Sequence, residues 1–132
     1  MKMIADTNVL LRYLLADDSV QYKVALESME RAEAVVVTNV ALCELVWVLR
    51  SRYGVSRENI AATISGLREI RKIELDSAAV DAGLSMLKSG ADFADGMIAH
   101  EGRWLGGEMF VSFDKKAVAA VAKQGVQTKL LN

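Results

Sequence analysis

The chain has 132 residues, of which 52% are hydrophobic and 25% are charged, and its formal net charge is -1. This length fits one domain with a substantial core, and the composition excludes a disordered or low-complexity chain. The single cysteine, Cys43, excludes an internal disulfide and a cysteine zinc site, and the charge excludes nucleic-acid binding that depends on overall positive charge.

The first segment of the chain is apolar but lacks the features of a secretory signal. Asp6 and Arg12 interrupt its apolar run, and no small-residue cleavage site follows. No run approaches the roughly 18 consecutive apolar residues of a membrane span. We therefore expect a protein of the reducing cytoplasm without a membrane segment.

Short β-like runs alternate with longer helical patterns along the chain. In chain order we predict the strand MKMIA (about 2–5), the helices TNVLLRYLL and SVQYKVALESMERA, the strand AVVV (34–37), the helices VALCELVWVLRSRY and RENIAATISGLREI, the strand KIEL, the helices SAAVDAGLSMLKS and FADGMIAHEGRWL, the strand EMFVSF, the helix KKAVAAVAKQG and the strand VQTKLL. In the second helix, Val20, Val24 and Met29 are predicted to face inward. Strands separated by helices imply parallel βα units, so the predicted fold is α/β, a three-layer α/β/α sandwich with a central, mainly parallel sheet. With no linker or internal repeat, residues 1–132 are predicted to form a single domain.

Three acidic residues stand where packing alone would not place them. Asp6 directly follows the first strand and Asp114 follows the strand EMFVSF, and each has the alternative role of capping the next helix. Glu44 has apolar neighbours three and four residues away, so it lies either on an apolar face or on the least buried stripe of a helix that is apolar all round. A buried, unpaired carboxylate is costly and needs a partner, a proton or a cation.

The segment GADFADGMIAH (90–100) adds two aspartates and the only histidine of the chain. Asp92 is expected to cap the helix, with a direct or water-mediated contact to a metal as the alternative. On a helical wheel, Asp95 lies about 60° from Asp92 but about 140° from His100. Asp95 is therefore the predicted site residue of this segment, and His100 is predicted to take no part.

The four selected acids are predicted to meet at one edge of the sheet. Asp6 and Asp114 end parallel strands, and the helices that carry Glu44 and Asp95 begin at the same edge. Four clustered anions would oppose folding unless a cation lies among them. Oxygen ligands without cysteine or a well-placed histidine favour Mg²⁺ or Mn²⁺ over zinc.

Four segments, MIADTNVLLRYLL, TNVALCELVWVL, ADFADGMIA and FVSFDKKA, resemble the four acidic motifs of PIN domains in their order and separation. The size of the chain and its final GVQTKLL resemble the VapC type, the toxin ribonucleases of bacterial toxin–antitoxin pairs. By this resemblance, the catalytic, metal-binding carboxylates are Asp6, Glu44, Asp95 and Asp114. Supporting roles fall to Asn8, which accompanies Asp6, and to Ser112, which stands where the family often has threonine.

The resemblance implies a divalent-metal-dependent endoribonuclease that uses Mg²⁺ or Mn²⁺ to hydrolyse RNA phosphodiester bonds. A divalent ion activates water and neutralises charge on the phosphate, so no nucleophilic side chain is needed. The implied partners are an RNA substrate such as tRNA or rRNA, a cognate antitoxin and a second copy of the chain in a homodimer. Two alternatives stay open: a PIN nuclease of RNA processing or of DNA, and a catalytically idle PIN domain that acts as a binding module.

Several other side chains are candidates to flank the RNA. The basic ones are Arg12, Arg50, Arg52 and Lys115. Tyr13 and Tyr53 are expected to pack in the core or an interface, with stacking on a base as the alternative, and Trp47 is predicted to lie in the core. A local site of this kind would supply the attraction to phosphate that the net charge does not.

Overall fold

The computed structural model describes residues 1–132, which form five short strands and seven helices. The strands are β1 (Lys2–Ile4), β2 (Ala34–Val36), β3 (Ile73–Glu74), β4 (Met109–Ser112) and β5 (Gln127–Leu130). The helices are α1 (Thr7–Leu15), α2 (Ser19–Arg31), α3 (Asn39–Ser51), α4 (Arg57–Glu69), α5 (Ser77–Lys88), α6 (Phe93–Trp104) and α7 (Lys115–Lys123). None of these helices has the length and apolar character of a membrane span. Every predicted element is present and the strands pair in parallel, so the predicted α/β fold is confirmed.

The chain divides into two compact units, each with its own parallel sheet. Unit 1 comprises Met1–Gly54 and Thr63–Asp76, and unit 2 comprises Val55–Ala62 and Ser77–Asn132. Helix α4 contributes residues to both units. A single domain over residues 1–132 stays a prediction.

Unit 1 is built on a parallel sheet with the strand order β1-β2-β3. The central strand is part of the β-branched run that the sequence predicts, and Val35 is fully buried between its register partners Met3 and Ile73. Consecutive parallel strands need a crossover connection, and α1 and α2 provide it between β1 and β2. The carboxyl end of β1 leads through Ala5 into Asp6 and the start of α1.

Helix α3 carries a buried stripe and an exposed stripe. Leu45 and Leu49, four residues apart, are almost fully buried, and each contributes about 1.5–3 kcal/mol to stability. On the opposite side Val40 is 70% exposed, Trp47 is 62% exposed and Glu44 is exposed. The predicted burial of Trp47 is therefore wrong, and Glu44 occupies the least buried stripe of an apolar helix.

Helix α2 also differs from its prediction. Val20 and Val24 were expected to face inward but are 71% and 59% exposed, whereas Met29 is buried as predicted. The helix begins after Asp18, whose carboxylate accepts hydrogen bonds from the backbone N–H groups of Val20 and Gln21. Because Val20 and Val24 are one turn apart, they form a short exposed apolar stripe.

Unit 2 contains the parallel pair β4-β5 together with α5, α6 and α7. Helices α5 and α6 approach closely because two glycines lie at their contact. A Cβ added to Gly83 would lie 2.5 Å from Cε2 of Phe93, and one added to Gly96 would lie 2.5 Å from the Ala82 carbonyl oxygen. Phe93 is fully enclosed, and this packing fixes the first turn of α6, which carries Asp95.

Candidate functional site

Asp6 stands at the N-cap of α1, just after β1. Its backbone carbonyl accepts hydrogen bonds from the N–H groups of Val9 and Leu10 at 3.0 and 3.2 Å, but its carboxylate accepts none from the helix. The N-cap residues of α2 and α3, Asp18 and Thr38, do accept such bonds through their side chains. The exposed carboxylate of Asp6 is therefore free of the capping role that was its alternative.

Glu44 is held by a residue that the sequence pattern did not predict. The Thr7 hydroxyl donates a hydrogen bond to Oε2 of Glu44 at 3.2 Å, and the Thr7 side chain is buried. This bond joins the first turn of α1 to α3. The sequence offered one signal for this contact, because Thr7 lies between the predicted site residues Asp6 and Asn8. In the structure, Thr7 is a buried polar side chain in the first turn of the apolar helix α1.

Asp6 and Glu44 line one cavity of unit 1, with a volume of about 340 Å³. Its lining consists of Asp6, Thr7, Asn8, Leu11, Arg12, Glu44, Trp47, Val48, Arg52 and Tyr53. Two predicted metal ligands and the predicted supporting residue Asn8 thus come together here. Carboxylate, amide and hydroxyl oxygens are the donors that Mg²⁺ and Mn²⁺ prefer.

Positive charge lies in the same cavity as the two acids. Arg12 Nη1 donates a hydrogen bond to Oδ1 of Asp17 at 2.7 Å. This bond and the charge of Asp17 raise the pKa of Arg12 above its ordinary value, and Tyr53 adds to the increase. Arg52 caps the C-terminus of α3 and is not part of an ion pair. Of the four basic residues predicted to flank RNA, Arg12 and Arg52 line this cavity and Arg50 does not.

Asp95 lies in the first turn of α6, in unit 2. Asp92 caps this helix as predicted, because its Oδ1 accepts a hydrogen bond from the Ala94 N–H at 3.2 Å. Asp95 is half-buried, and burial, followed by the charges of Asp92 and Asp114, raises the pKa of its carboxyl above the ordinary value. Mutual repulsion of this kind is what a bound cation would relieve.

Asp114 follows β4 and caps α7. Its Oδ1 accepts hydrogen bonds from the N–H groups of Lys116 and Ala117 at 2.9 and 3.2 Å. Ser112 Oγ accepts a hydrogen bond from the Asp114 N–H at 3.0 Å, which fixes the turn between strand and helix. The capping alternative is thus correct, but both bonds use Oδ1, so Oδ2 stays available for another ligand.

The predicted acids form two groups, one in each unit. Asp6 and Glu44 line one cavity of unit 1. In unit 2, burial and then the charges of Asp92 and Asp114 raise the pKa of the Asp95 carboxyl. Within either unit taken by itself, no group of three or more Asp, Glu, His or Cys side chains is arranged to hold a metal ion. The donor chemistry of both groups fits a hard divalent cation, and the action of all four acids as one ligand set stays a prediction.

The single histidine, His100, shares a cavity of unit 2 with one acidic residue, Asp81. Arg103 and Gln124 also line this cavity, and none of the four predicted ligands lines it. The exclusion of His100 from the site stays a prediction. Lys115, the remaining basic candidate, is the exposed first residue of α7 and directly follows Asp114.

The sequence profile of the PIN domain matches residues 3–124 of the chain. The chain belongs to the PIN domain family. The matched segment contains every residue of the predicted site, from Asp6 to Asp114, so the family predicted from the four motifs is confirmed. No curated protein matches this PIN domain closely enough to count as a relative.

PIN domains are in general nucleases that bind divalent metal ions and act on nucleic acids. In this PIN domain, the carboxylates of Asp6 and Glu44 share a cavity with Arg12 and Arg52. Carboxylates hold a cation, and the cation and the arginines together attract an anionic phosphate.

Proposed function

We propose that this PIN domain is a divalent-metal-dependent endoribonuclease that hydrolyses RNA phosphodiester bonds and is the VapC-type toxin of a toxin–antitoxin pair. The observation that carries the proposal is the presence of Asp6 and Glu44 in one cavity with Arg12 and Arg52. An acidic pair repels phosphate unless a cation is bound, whereas the arginines attract phosphate. The cavity therefore suits a metal-assisted reaction on a phosphodiester better than the binding of an uncharged ligand.

Four carboxylates are the metal ligands in this proposal, and residues 1–132 act as a single domain. They are Asp6, Glu44, Asp95 and Asp114. When bound, Mg²⁺ or Mn²⁺ supplies Lewis-acid chemistry, lowering the pKa of water and neutralising charge on the phosphate. The uncapped carboxylate of Asp6, the unused Oδ2 of Asp114 and the raised pKa of Asp95 all support these roles.

The neighbouring polar side chains keep the ligands in position. Thr7 restricts the carboxylate of Glu44 through its 3.2 Å hydrogen bond. Ser112 orients Asp114 through the backbone of the same turn. Asn8 lines the same cavity as Asp6, and it has the supporting role in this proposal. Loss of a group that orients a metal ligand typically lowers metal affinity or activity by about 10- to 100-fold.

The toxin role rests on the resemblance of the four motifs and the final strand to VapC-type proteins. In this role the substrate is an RNA such as tRNA or rRNA, a cognate antitoxin silences the activity, and the chain forms a homodimer in the cytoplasm. The exposed stripe of Val20 and Val24 supports a protein contact, because a partner that covers apolar side chains gains stability.

Cleavage-site mapping on total RNA tests the proposal directly. Purified, antitoxin-free protein is expected to make defined cuts in one tRNA or rRNA loop with Mg²⁺ and none in EDTA. Asp95→Asn should abolish the cuts, whereas Glu108→Gln, which neutralises an exposed acid outside the proposed set, should retain them. Cleavage of DNA or of many RNAs would favour a processing nuclease, and no cleavage by folded protein would favour an idle binding module.

A further inference from the structure

Two large aromatic side chains line the cavity of Asp6 and Glu44 and are open to solvent. Trp47 is 62% exposed and Tyr53 is 42% exposed. An exposed aromatic ring gives up the stabilisation that burial provides. Two such rings in one cavity therefore indicate a surface for a ligand rather than a part of the core.

The positions of the rings relative to the acids follow from α3. Trp47 comes one turn after Glu44, and side chains at this spacing are neighbours on a helix, with Cβ atoms about 5–6 Å apart. Arg52 and Tyr53 follow at the end of the same helix. Tyr53 and Arg12 line the same cavity, and Tyr53 is among the groups that raise the pKa of the Arg12 guanidinium. The two aromatic rings therefore line the same cavity as the two acids and the two arginines.

We propose that Trp47 and Tyr53 stack on unpaired bases of single-stranded RNA while Arg52 contacts its phosphates. Aromatic side chains bind bases through their π faces, and arginine follows the backbone. Arg52 suits this role because no ion pair engages it, whereas Arg12 is held by Asp17. Bases within a duplex stack on one another, so this site needs an unpaired segment. The inference rests on the proposed function, because it names the form of RNA that the same cavity receives.

A protein partner is the competing occupant of these aromatic rings. The core of a protein–protein interface is depleted in charged residues. Here the rings share a cavity of about 340 Å³ with two carboxylates and two arginines. A nucleotide combines a flat apolar ring with an anion, and it matches this mixture of groups. The volume also lies in the range of small ligand sites.

The chain has two tryptophans, which makes the proposal measurable by fluorescence. In Trp104→Phe, Trp47 is the only indole, and its emission should be quenched when a short, unstructured oligoribonucleotide is added in EDTA. In Trp47→Phe, the remaining indole is Trp104, which lies in unit 2 and is 81% exposed. Its emission is the control for nonspecific quenching and should not change when the oligonucleotide is added. The same oligonucleotide with abasic sites, or annealed into a duplex, should quench Trp47 much less.

Affinity provides a second measurement. Trp47→Ala should weaken RNA binding about 5- to 150-fold, the range for one base–aromatic stack, and Tyr53→Ala should weaken it further. Trp47→Phe should recover part of the loss, and Trp104→Ala should bind like wild type. Circular dichroism of each variant checks the fold, which these exposed positions should not disturb.

Failure of this inference is distinguishable from failure of the proposed function. Mg²⁺-dependent cleavage combined with unquenched Trp47, or with equal binding of abasic or duplex RNA, would overturn the stacking role alone. Emission that changes with protein concentration but not with RNA would place Trp47 in a protein interface and overturn it as well. If single-stranded RNA quenched Trp47 but was not cleaved under any metal condition, the stacking role would be supported and the proposed nuclease activity would be overturned.

Discussion

The Thr7 hydroxyl donates a hydrogen bond to Oε2 of Glu44 across 3.2 Å, and it joins two helices whose bonded residues are 37 apart in sequence. The donor side chain is buried and the acceptor is exposed. A hydroxyl fixed by packing limits where an otherwise mobile carboxylate points. Thr7 therefore restricts the position of the Glu44 carboxylate at the cavity that both residues line.

Removal of the Thr7 hydroxyl should weaken the response to metal while the fold is retained. Thr7→Val keeps the branched shape and loses the donor, so the metal concentration for half-maximal cleavage should rise about 10- to 100-fold. Cleavage measured over a range of Mn²⁺ concentrations gives this value. Thr7→Ser retains the hydroxyl and should respond like wild type. Equal impairment of the serine and valine variants would show that packing, and not the hydrogen bond, is what matters.

Mn²⁺ should stabilise the folded protein, because the proposed ligands come together only in that state. A ligand at 100 times its Kd adds about 2.7 kcal/mol to the free energy of unfolding. Thermal melts with and without millimolar Mn²⁺ measure this effect. Asp6→Asn should shrink the rise in melting temperature, whereas Glu108→Gln should keep it. A wild-type melt that does not respond to Mn²⁺ would remove the metal site from the proposal.

The contact between α5 and α6 should be sensitive to a single methyl group. A Cβ at position 96 would lie 2.5 Å from the Ala82 carbonyl oxygen and 2.6 Å from Cγ of Met86, so Gly96→Ala should cost about 1–3 kcal/mol in denaturant unfolding. Gly102→Ala is the matched control on the same helix, since its Cβ meets nothing within 4 Å. It should leave stability unchanged or raise it by up to about 1 kcal/mol. Equal effects of the two substitutions would contradict close packing at Gly96.

Local patterns in the sequence predicted much of the fold and part of the site. The β-branched run at β2 and the cap at Asp92 depend on residues close in sequence, and both are present. The four acidic motifs also identified the PIN family. These features needed no knowledge of long-range packing.

Other features depended on tertiary contacts that the sequence does not encode locally. Helix α3 is apolar nearly all round, so its pattern did not reveal that the stripe of Glu44 and Trp47 faces outward. In the more polar helix α2, the helical pattern did not reveal that Val20 and Val24 face outward. Thr7 was missed because its partner Glu44 lies on another helix. The errors at Trp47, Val20 and Val24 concern which side of a helix faces the core.

Asp95 should make the metal-free protein sensitive to pH. Burial, and then the charges of Asp92 and Asp114, raise the pKa of its carboxyl above its ordinary value of 3.8. The folded state therefore binds the proton of the Asp95 carboxyl more tightly than the unfolded state does. The protonated carboxyl contributes its full stabilisation below the ordinary pKa, and this contribution is lost as the pH rises through the raised pKa. In EDTA, the permanently neutral Asp95→Asn should melt above wild type at neutral pH, and the difference should shrink as the pH falls.

Two further measurements separate the causes of this pH dependence. Asp92→Asn keeps a side chain that caps α6 but removes a negative charge, so the stability loss assigned to Asp95 should move to lower pH. Saturating Mn²⁺ should reverse the order of wild type and Asp95→Asn, because the cation binds the carboxylate more strongly than the amide. If Asp95→Asn already melted below wild type in EDTA at neutral pH, the ionised carboxylate would be stabilised by a contact, and the repulsion argument would fail. If the order in EDTA held but Mn²⁺ did not reverse it, Asp95 would be a strained carboxylate without a role as a ligand.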